Sequence, residues 1–157
     1  MTILLAIDPG VKACGYAVIK CGTLTVGHES TEYVLDLAKV LRCSVITELP
    51  QVYSAAKSKG SPEDLIQLAR VVGRIEQASG ACRIVRPNEW KGSISKEMHN
   101  ARILECAATA LPLVHLVQAR HQLGQLPKTR AHNAVDALGL WLFGMGLMSR
   151  RGQALTG

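Results

Sequence analysis

The chain has 157 residues, of which 48% are hydrophobic and 19% are charged, and this composition excludes a disordered or collagen-like protein. Lys and Arg total 18 against 12 Asp and Glu, so the formal net charge is +6, a balance typical of proteins that meet nucleic acid. The five cysteines include no CxxC pair, which disfavours a zinc or dithiol site and favours free thiols in a reducing compartment.

The length predicts one domain, which we place at residues 1–149, followed by a short basic tail, 150–157, that we expect to be disordered. The apolar N-terminus carries no basic leader and stops at Asp8, too early for a signal peptide. The longest uncharged apolar stretch, Ala137 to Met148, is shorter than the roughly 20 residues of a membrane span. We therefore expect a cytoplasmic protein without membrane contact.

Five consecutive apolar residues, Ile3 to Ile7, predict a strand that is covered on both faces and ends at Asp8, before a Pro-Gly turn. Strands over 15–21 and 23–26 are separated by so short a connection that they predict a hairpin, and hence an antiparallel meander. The later elements are predicted to be helix 33–41, strand 43–47, helix 62–79, strand 83–86, helix 96–111, a polar loop at 124–130 and helix 131–147.

This order predicts an α/β fold with a mixed five-stranded sheet, in which an antiparallel meander adjoins parallel strands and helices cover both faces. The helix after Ser95 is expected to turn one apolar stripe to the core, made of Met98, Ala101, Leu104, Ala108 and Leu111. Functional sites in such sheets lie beyond the carboxyl ends of the central strands.

Three acidic residues stand at chemically informative positions. Asp8 ends the first strand and Glu48 ends the fourth, so a parallel pairing of these strands would place both carboxylates at one sheet edge. Asp136 lies in an otherwise apolar helix, where burial is costly unless the carboxylate is paired or binds a metal. Carboxylates without a Cys or His cluster suit Mg²⁺ or Mn²⁺. Singly, each has a structural alternative: a turn residue at Asp8, a solvated Glu48 and a wet helix edge at Asp136.

Four segments in this order resemble the RuvC family of Holliday junction resolvases, in particular its phage-encoded members. The segments are Ile3–Gly10 with Gly15–Ile19, then Glu48–Tyr53, then Arg86–Gly92 with Lys96, and finally His132–Leu138. The resemblance spans nearly the whole chain. It implies an RNase H-like fold, a homodimer, and a nuclease that uses two Mg²⁺ ions per active site, with Mn²⁺ as a substitute, in the cytoplasm of the host cell if the chain is phage-encoded.

The resemblance assigns Asp8, Glu48 and Asp136 to three of the four metal-ligand positions. In the family the fourth ligand lies three residues before the last Asp and is usually Asp, sometimes His, whereas this chain has Asn133 there, with His132 one residue earlier. Asn133 would offer a neutral oxygen and hold the second metal more weakly, and His132 is the alternative ligand. Either side chain can share a helix face with Asp136.

The expected reaction is phosphodiester hydrolysis in which two ions, roughly 3.5–4 Å apart, bridge the scissile phosphate, with Asp8 as the bridging ligand. Lys96 matches the second basic position of the family and is expected near that phosphate. The resemblance also predicts that Tyr53 stacks on bases at the branch point. The other residues predicted to contact DNA are Lys57, Lys59, Lys91, Lys128 and Arg130.

The expected partner is branched DNA, above all a four-way junction, cut by paired nicks. An actin-like ATPase also ends a strand with Asp before a Gly turn, but it needs two such domains, so we expect no nucleotide cofactor. A second alternative is a junction-binding module with a weakened or degenerate nuclease site, and the neutral Asn133 favours it. The helix over 62–79 corresponds to one that helps to form the dimer in the family, and a two-fold dimer suits the cutting of two strands.

Overall fold

The structure is a computed structural model that describes residues 3–51, 61–92, 94–150 and 153–155. The strands are β1 Leu4–Asp8, β2 Ala13–Lys20, β3 Thr23–Ser30, β4 Ser44–Glu48 and β5 Ala81–Val85. The helices in these ranges are α1 Thr31–Leu41, α2 Pro62–Ala78, α3 Pro87–Trp90, α4 Lys96–Ala110, α5 Leu113–Gln125 and α6 Lys128–Gly144.

The five strands form one mixed sheet in the order β3-β2-β1-β4-β5. β1 pairs antiparallel with β2 and β2 pairs antiparallel with β3, while β1–β4 and β4–β5 are parallel pairs. β1 is the central strand, which explains its unbroken apolar run, because both of its faces are covered. The predicted meander and the predicted parallel half are confirmed.

The alternation of side chains along β1 divides the core into two layers. Leu5 and Ile7 face a cluster that includes residues of α1 and α2. Ala6 faces the other cluster, which contains residues of α4 and α6. α6 is buried continuously over 134–142, so it lies in the middle of that second layer.

A close contact between β2 and α6 sets the position of that helix. A Cβ atom added to Gly15 would lie 2.0 Å from the carbonyl oxygen of Asn133, so only glycine allows this approach. Gly15 is paired with Asp8 in the sheet. The contact therefore places the first turns of α6 against the edge at which β1 ends.

The predicted polar loop at 124–130 is wrong, because α5 extends to Gln125 and α6 already begins at Lys128. The sequence assigned no helix to most of α5, and the structure explains why. Ala119 is its one fully buried residue, while Leu113 and Val117 are exposed, so the helix has no clear apolar face. Polar side chains instead attach it to the sheet, since Gln118 accepts a hydrogen bond from the Leu24 backbone N–H at 2.9 Å.

The apolar face assigned to α4 is also wrong. Met98 and Leu104 are exposed, by 53% and 39%, so the predicted stripe lies partly in solvent. The residues that α4 buries are His99, Ile103, Cys106 and Ala107. The real face is thus rotated by about one residue and includes a histidine.

The described part of the segment predicted as a tail folds back on the domain. Met148 and Ala154 form an antiparallel bridge, and the Leu155 backbone N–H donates to the Leu147 carbonyl at 2.9 Å. Among the helices that the structure describes, none has the length and apolar character needed to cross a bilayer.

Candidate active site

The ends of β1 and β4 bring Asp8 and Glu48 to one edge of the sheet. Ile7 is paired with Thr47 in the parallel ladder, and Asp8 and Glu48 are the next residue on each strand. Side chains two apart along a strand point to the same face. Asp8 and Glu48 therefore follow Ala6 and Ile46 toward the layer of α4 and α6.

Asp136 faces this edge from α6 and is only 7% exposed. Burial raises the pKa of Asp8 well above its ordinary value, and the negative charges of Asp136 and then Glu48 raise it further. Burial also raises the pKa of Asp136. The three carboxylates thus share one neighbourhood, in which each additional negative charge is costly.

Glu48 is held by two donors from the segment that follows β5. The Trp90 indole Nε1 donates to Glu48 Oε2 at 2.7 Å, and Lys91 Nζ donates to Oε1 at 3.0 Å. Trp90 is fully buried, so α3 works as a packed turn that aims these donors at the end of β4. Burial raises the pKa of Glu48, while the Lys91 ammonium lowers it.

Lys91 therefore points into the site rather than toward solvent. Its Nζ lies 2.8 Å from Glu48 Oε2, and its side chain is 22% exposed. The charges of Glu48, Asp136 and Asp8 raise its pKa against the effect of burial. The sequence predicted a contact between Lys91 and DNA, whereas in this arrangement the ammonium neutralises the acidic cluster.

Substitution of Lys91 by glutamine should lower the free energy of unfolding by about 1–3 kcal/mol, because Glu48 would keep its burial and lose its counter-charge. Chemical denaturation without divalent cations measures the effect. Lys39→Gln is the matched control: its partner Asp36 is 71% exposed, and such a pair contributes less than about 1 kcal/mol. Equal losses in the two variants would contradict a special role for Lys91.

Three other predicted cationic residues lie on the first turns of α4 and α6. Lys96 is exposed at the first turn of α4, and its charge lowers the pKa of both Asp8 and Asp136. Lys128 and Arg130 are exposed on the first turn of α6, immediately before the contact with Gly15. Positive charges at a helix N-terminus oppose the helix dipole, so they do not stabilise α6.

The two candidates for the fourth ligand each have a neighbour that engages one of their atoms. The Asn133 amide Nδ2 donates to His28 Nε2 at 3.3 Å, which leaves Oδ1 as the available oxygen. Asn100 Nδ2 contacts His132 Nδ1, which leaves the other ring nitrogen. A positive charge on His132 would lower the pKa of Asp136, which places His132 near the carboxylate of Asp136.

A further residue, His99, was not predicted from the sequence and lies between Trp90 and Asp136. Its ring packs edge-on against Trp90 with centroids 4.8 Å apart, and its Nε2 lies 3.7 Å from Asp136 Oδ1. Burial lowers the pKa of His99 to about 4, with Lys91 and Arg102 adding to the effect. The imidazole is therefore neutral near pH 7. His99 precedes the buried Ile103 by four residues, so the two share a face of α4, and this spacing could have predicted its burial.

The carboxylate and amide oxygens at this edge fit a hard divalent cation. The described ranges nevertheless contain no group of three or more His, Cys, Asp or Glu side chains arranged to hold one. Asp8 carries its charge only against burial and against the negative charges of Asp136 and Glu48. A divalent cation bound by the carboxylate oxygens would offset that repulsion. The remaining predicted DNA contacts, Tyr53, Lys57 and Lys59, lie outside the described residues.

No protein-family model and no curated protein matches the sequence. Solved structures do match it. RuvC of Thermus thermophilus in complex with a Holliday junction substrate is 15% identical, with 93% of this chain and 97% of that chain covered and a TM-score of 0.50. The Fowlpox virus resolvase with its Holliday junction DNA is 13% identical, with 92% and 97% covered and a TM-score of 0.56.

At these identities the likeness establishes the fold. The chain has the mixed five-stranded sheet and flanking helices of the RNase H-like class, as the sequence predicted. Both matched chains are covered almost completely, so the shared fold extends over the whole domain.

Proposed function

We propose that this chain is a metal-dependent, structure-selective endodeoxyribonuclease that resolves four-way DNA junctions by paired hydrolytic nicks. The observation that carries the proposal is the convergence of three carboxylates, those of the half-buried Asp8 and Glu48 and of the buried Asp136, at the carboxyl edge of the central strands. The shared fold with two proteins solved on Holliday junction DNA supports the choice of substrate.

In this proposal Asp8, Glu48 and Asp136 hold Mg²⁺, or Mn²⁺ in its place, with two ions per site and a fourth donor from Asn133 or His132. A bound divalent cation lowers the pKa of water and stabilises the charge on a leaving oxygen. The protein's own contribution is to orient the acids. Trp90 and Lys91 orient Glu48 through their hydrogen bonds, and the Lys91 ammonium offsets part of the rise that burial causes in the pKa of Glu48.

The cationic residues around the acids fit a phosphate-binding rim. Lys96, Lys128 and Arg130 are exposed on the first turns of α4 and α6, and the chain carries a net charge of +6. Such residues neutralise DNA phosphates, and each contact makes the affinity more sensitive to salt. We assign to Lys96 the contact nearest to the scissile phosphate.

A homodimer would supply the two active sites that symmetric cutting requires. The helix proposed for the interface, α2, buries Val71, Val72 and Ile75 in its own domain and leaves Ile66 55% exposed. An exposed apolar residue on this helix is compatible with a second copy packing there.

The test is cleavage of a synthetic four-way junction with Mg²⁺ or Mn²⁺, with both ends of the products mapped. Paired, symmetric nicks that depend on the metal support the proposal. Tight binding to the junction without cleavage at any metal concentration would favour the binding module, for which the neutral Asn133 is the specific argument.

Replacing Lys96 by alanine should lower cleavage at least about tenfold and reduce the salt dependence of junction binding by about one ion, because one phosphate contact is lost. Binding titrations at several salt concentrations measure the slope. Lys20→Ala is the control, since Lys20 is an exposed lysine beside the β2–β3 hairpin, at the opposite end of the sheet. An unchanged slope in Lys96→Ala would show that Lys96 touches no phosphate.

A further inference from the structure

Two buried polar atoms near the acidic cluster face each other without a partner. His99 Nε2 and Asp136 Oδ1 both lack a hydrogen bond within the part of the chain that the structure describes. They lie 3.7 Å apart, and the two side chains are only 6% and 10% exposed. Buried polar atoms nearly always have a hydrogen-bond partner in folded proteins. A buried nitrogen and a buried carboxylate oxygen that face each other without one therefore call for a functional explanation.

The surroundings of His99 fix the direction of its ring. Trp90 packs edge-on against the imidazole at an interplanar angle of 68°, and the same Trp90 donates its indole N–H to Glu48. The ring is thereby clamped between the turn that orients Glu48 and the helix that carries Asp136. A modest approach of Asp136 would bring Nε2 and Oδ1 from 3.7 Å to hydrogen-bond distance.

We infer that His99 is a positioning residue for Asp136: it donates its Nε2–H to the inward oxygen, Oδ1, and so leaves Oδ2 free to bind the cation. This inference rests on the proposed function, because it assigns Asp136 as a metal ligand. Carboxylates that bind metals are themselves held by hydrogen bonds, and loss of such a partner costs about 10–100-fold in metal affinity. The position of His99 beside Asp136 carries the assignment.

The first experiment measures Mn²⁺ affinity of the full chain by calorimetry, without DNA. His99→Phe keeps an aromatic ring against Trp90 and removes the donor, so binding should weaken about 10–100-fold. His99→Gln returns an N–H near the position of Nε2 and should recover most of the affinity. His115→Phe is the control, because His115 is a half-buried histidine beside the β2–β3 hairpin, where it contacts the Gly22 carbonyl.

The second experiment uses the unmodified protein, so it does not depend on how the variants fold. Nitrogen-15 NMR of the His99 ring should show a protonated Nε2 both without metal and with saturating Mg²⁺. Loss of the Nε2 proton on addition of Mg²⁺ would make His99 a direct ligand and overturn the assignment. Wild-type affinity for Mn²⁺ in His99→Phe would also overturn it.

The two hypotheses fail in distinguishable ways. If the wild-type protein binds no Mn²⁺, or if Asp136→Asn binds it as well as the wild type does, the proposed metal site is wrong. If Asp136→Asn loses Mn²⁺ binding while His99→Phe keeps it, the metal site stands and the role of His99 is wrong.

Discussion

Asp136→Asn should abolish junction cleavage and leave junction binding within about twofold of the wild type. Asp136 is buried on α6, so under the proposed function it contributes charge to the metal site and not a contact to DNA. Loss of a ligand charge removes several kcal/mol of stabilisation of the reaction, which corresponds to at least about 10³-fold in rate.

Cleavage rates in Mg²⁺ and binding isotherms in EDTA separate the two effects. Asp36→Asn is the matched control, because Asp36 is an exposed aspartate on α1 that pairs with Lys39. If binding in Asp136→Asn fell as much as cleavage, Asp136 would have to act on DNA or on folding, and its assignment as a metal ligand would be wrong.

Asp8→Asn should inactivate the protein and at the same time stabilise it in the absence of metal. In the unfolded chain Asp8 ionises near its ordinary pKa of 3.8, while burial, Asp136 and Glu48 raise the pKa well above that value in the folded state. As the pH rises between these two values the unfolded state loses its proton first, so the free energy of unfolding of the wild type falls. Asparagine does not ionise, so the free energy of unfolding of the variant does not fall in this way.

We expect Asp8→Asn to gain at least about 1 kcal/mol at pH 7.5 in EDTA, or roughly 2–4 °C in Tm for a domain of this size. The gain should vanish near pH 3, below the ordinary pKa, where Asp8 is protonated in both states. Mg²⁺ should stabilise the wild type and not the variant, because ligand binding to the folded state raises stability. A variant less stable than the wild type at both pH values would refute the idea that Asp8 is electrostatically strained.

The sequence predicted those parts of the fold in which the hydrophobic pattern and the tertiary environment agree. β1 is an unbroken apolar run because both faces of the central strand are covered, and its end at Asp8 followed from the Pro-Gly turn. Glu48 was likewise placed at the end of a strand, and Asp136 was identified as an acidic residue within an otherwise apolar helix. Their convergence required the parallel pairing of β1 with β4, which the order of the elements implied.

The failures lie where polar side chains do the packing. α5 is attached to the sheet edge by glutamines, which carry no hydrophobic signal. Its exposed Leu113 and Val117 also obscure the apolar face that packs on the core, made of Leu116, Ala119 and Leu123. His99 occupies a core position on α4, and a histidine among charged residues in a first turn indicates a solvated helix start. The ion pair between Lys91 and Glu48 depends on the turn of α3, and no periodicity in a four-residue helix predicts it.

The glutamines of α5 also have a consequence for self-association. β3 is an edge strand, and α5 occupies outward backbone groups at one end of it: Leu24 donates to Gln118, and the Gln122 amide donates to the Leu24 carbonyl at 3.0 Å. A primary amide offers the same N–H and C=O groups as a peptide unit, so these side chains form the hydrogen bonds that a neighbouring strand would form with Leu24. A strand from a misfolded copy or a fibril seed would have to displace the glutamine side chains before it could pair with this part of β3. The glutamines therefore disfavour extension of the sheet at the β3 edge.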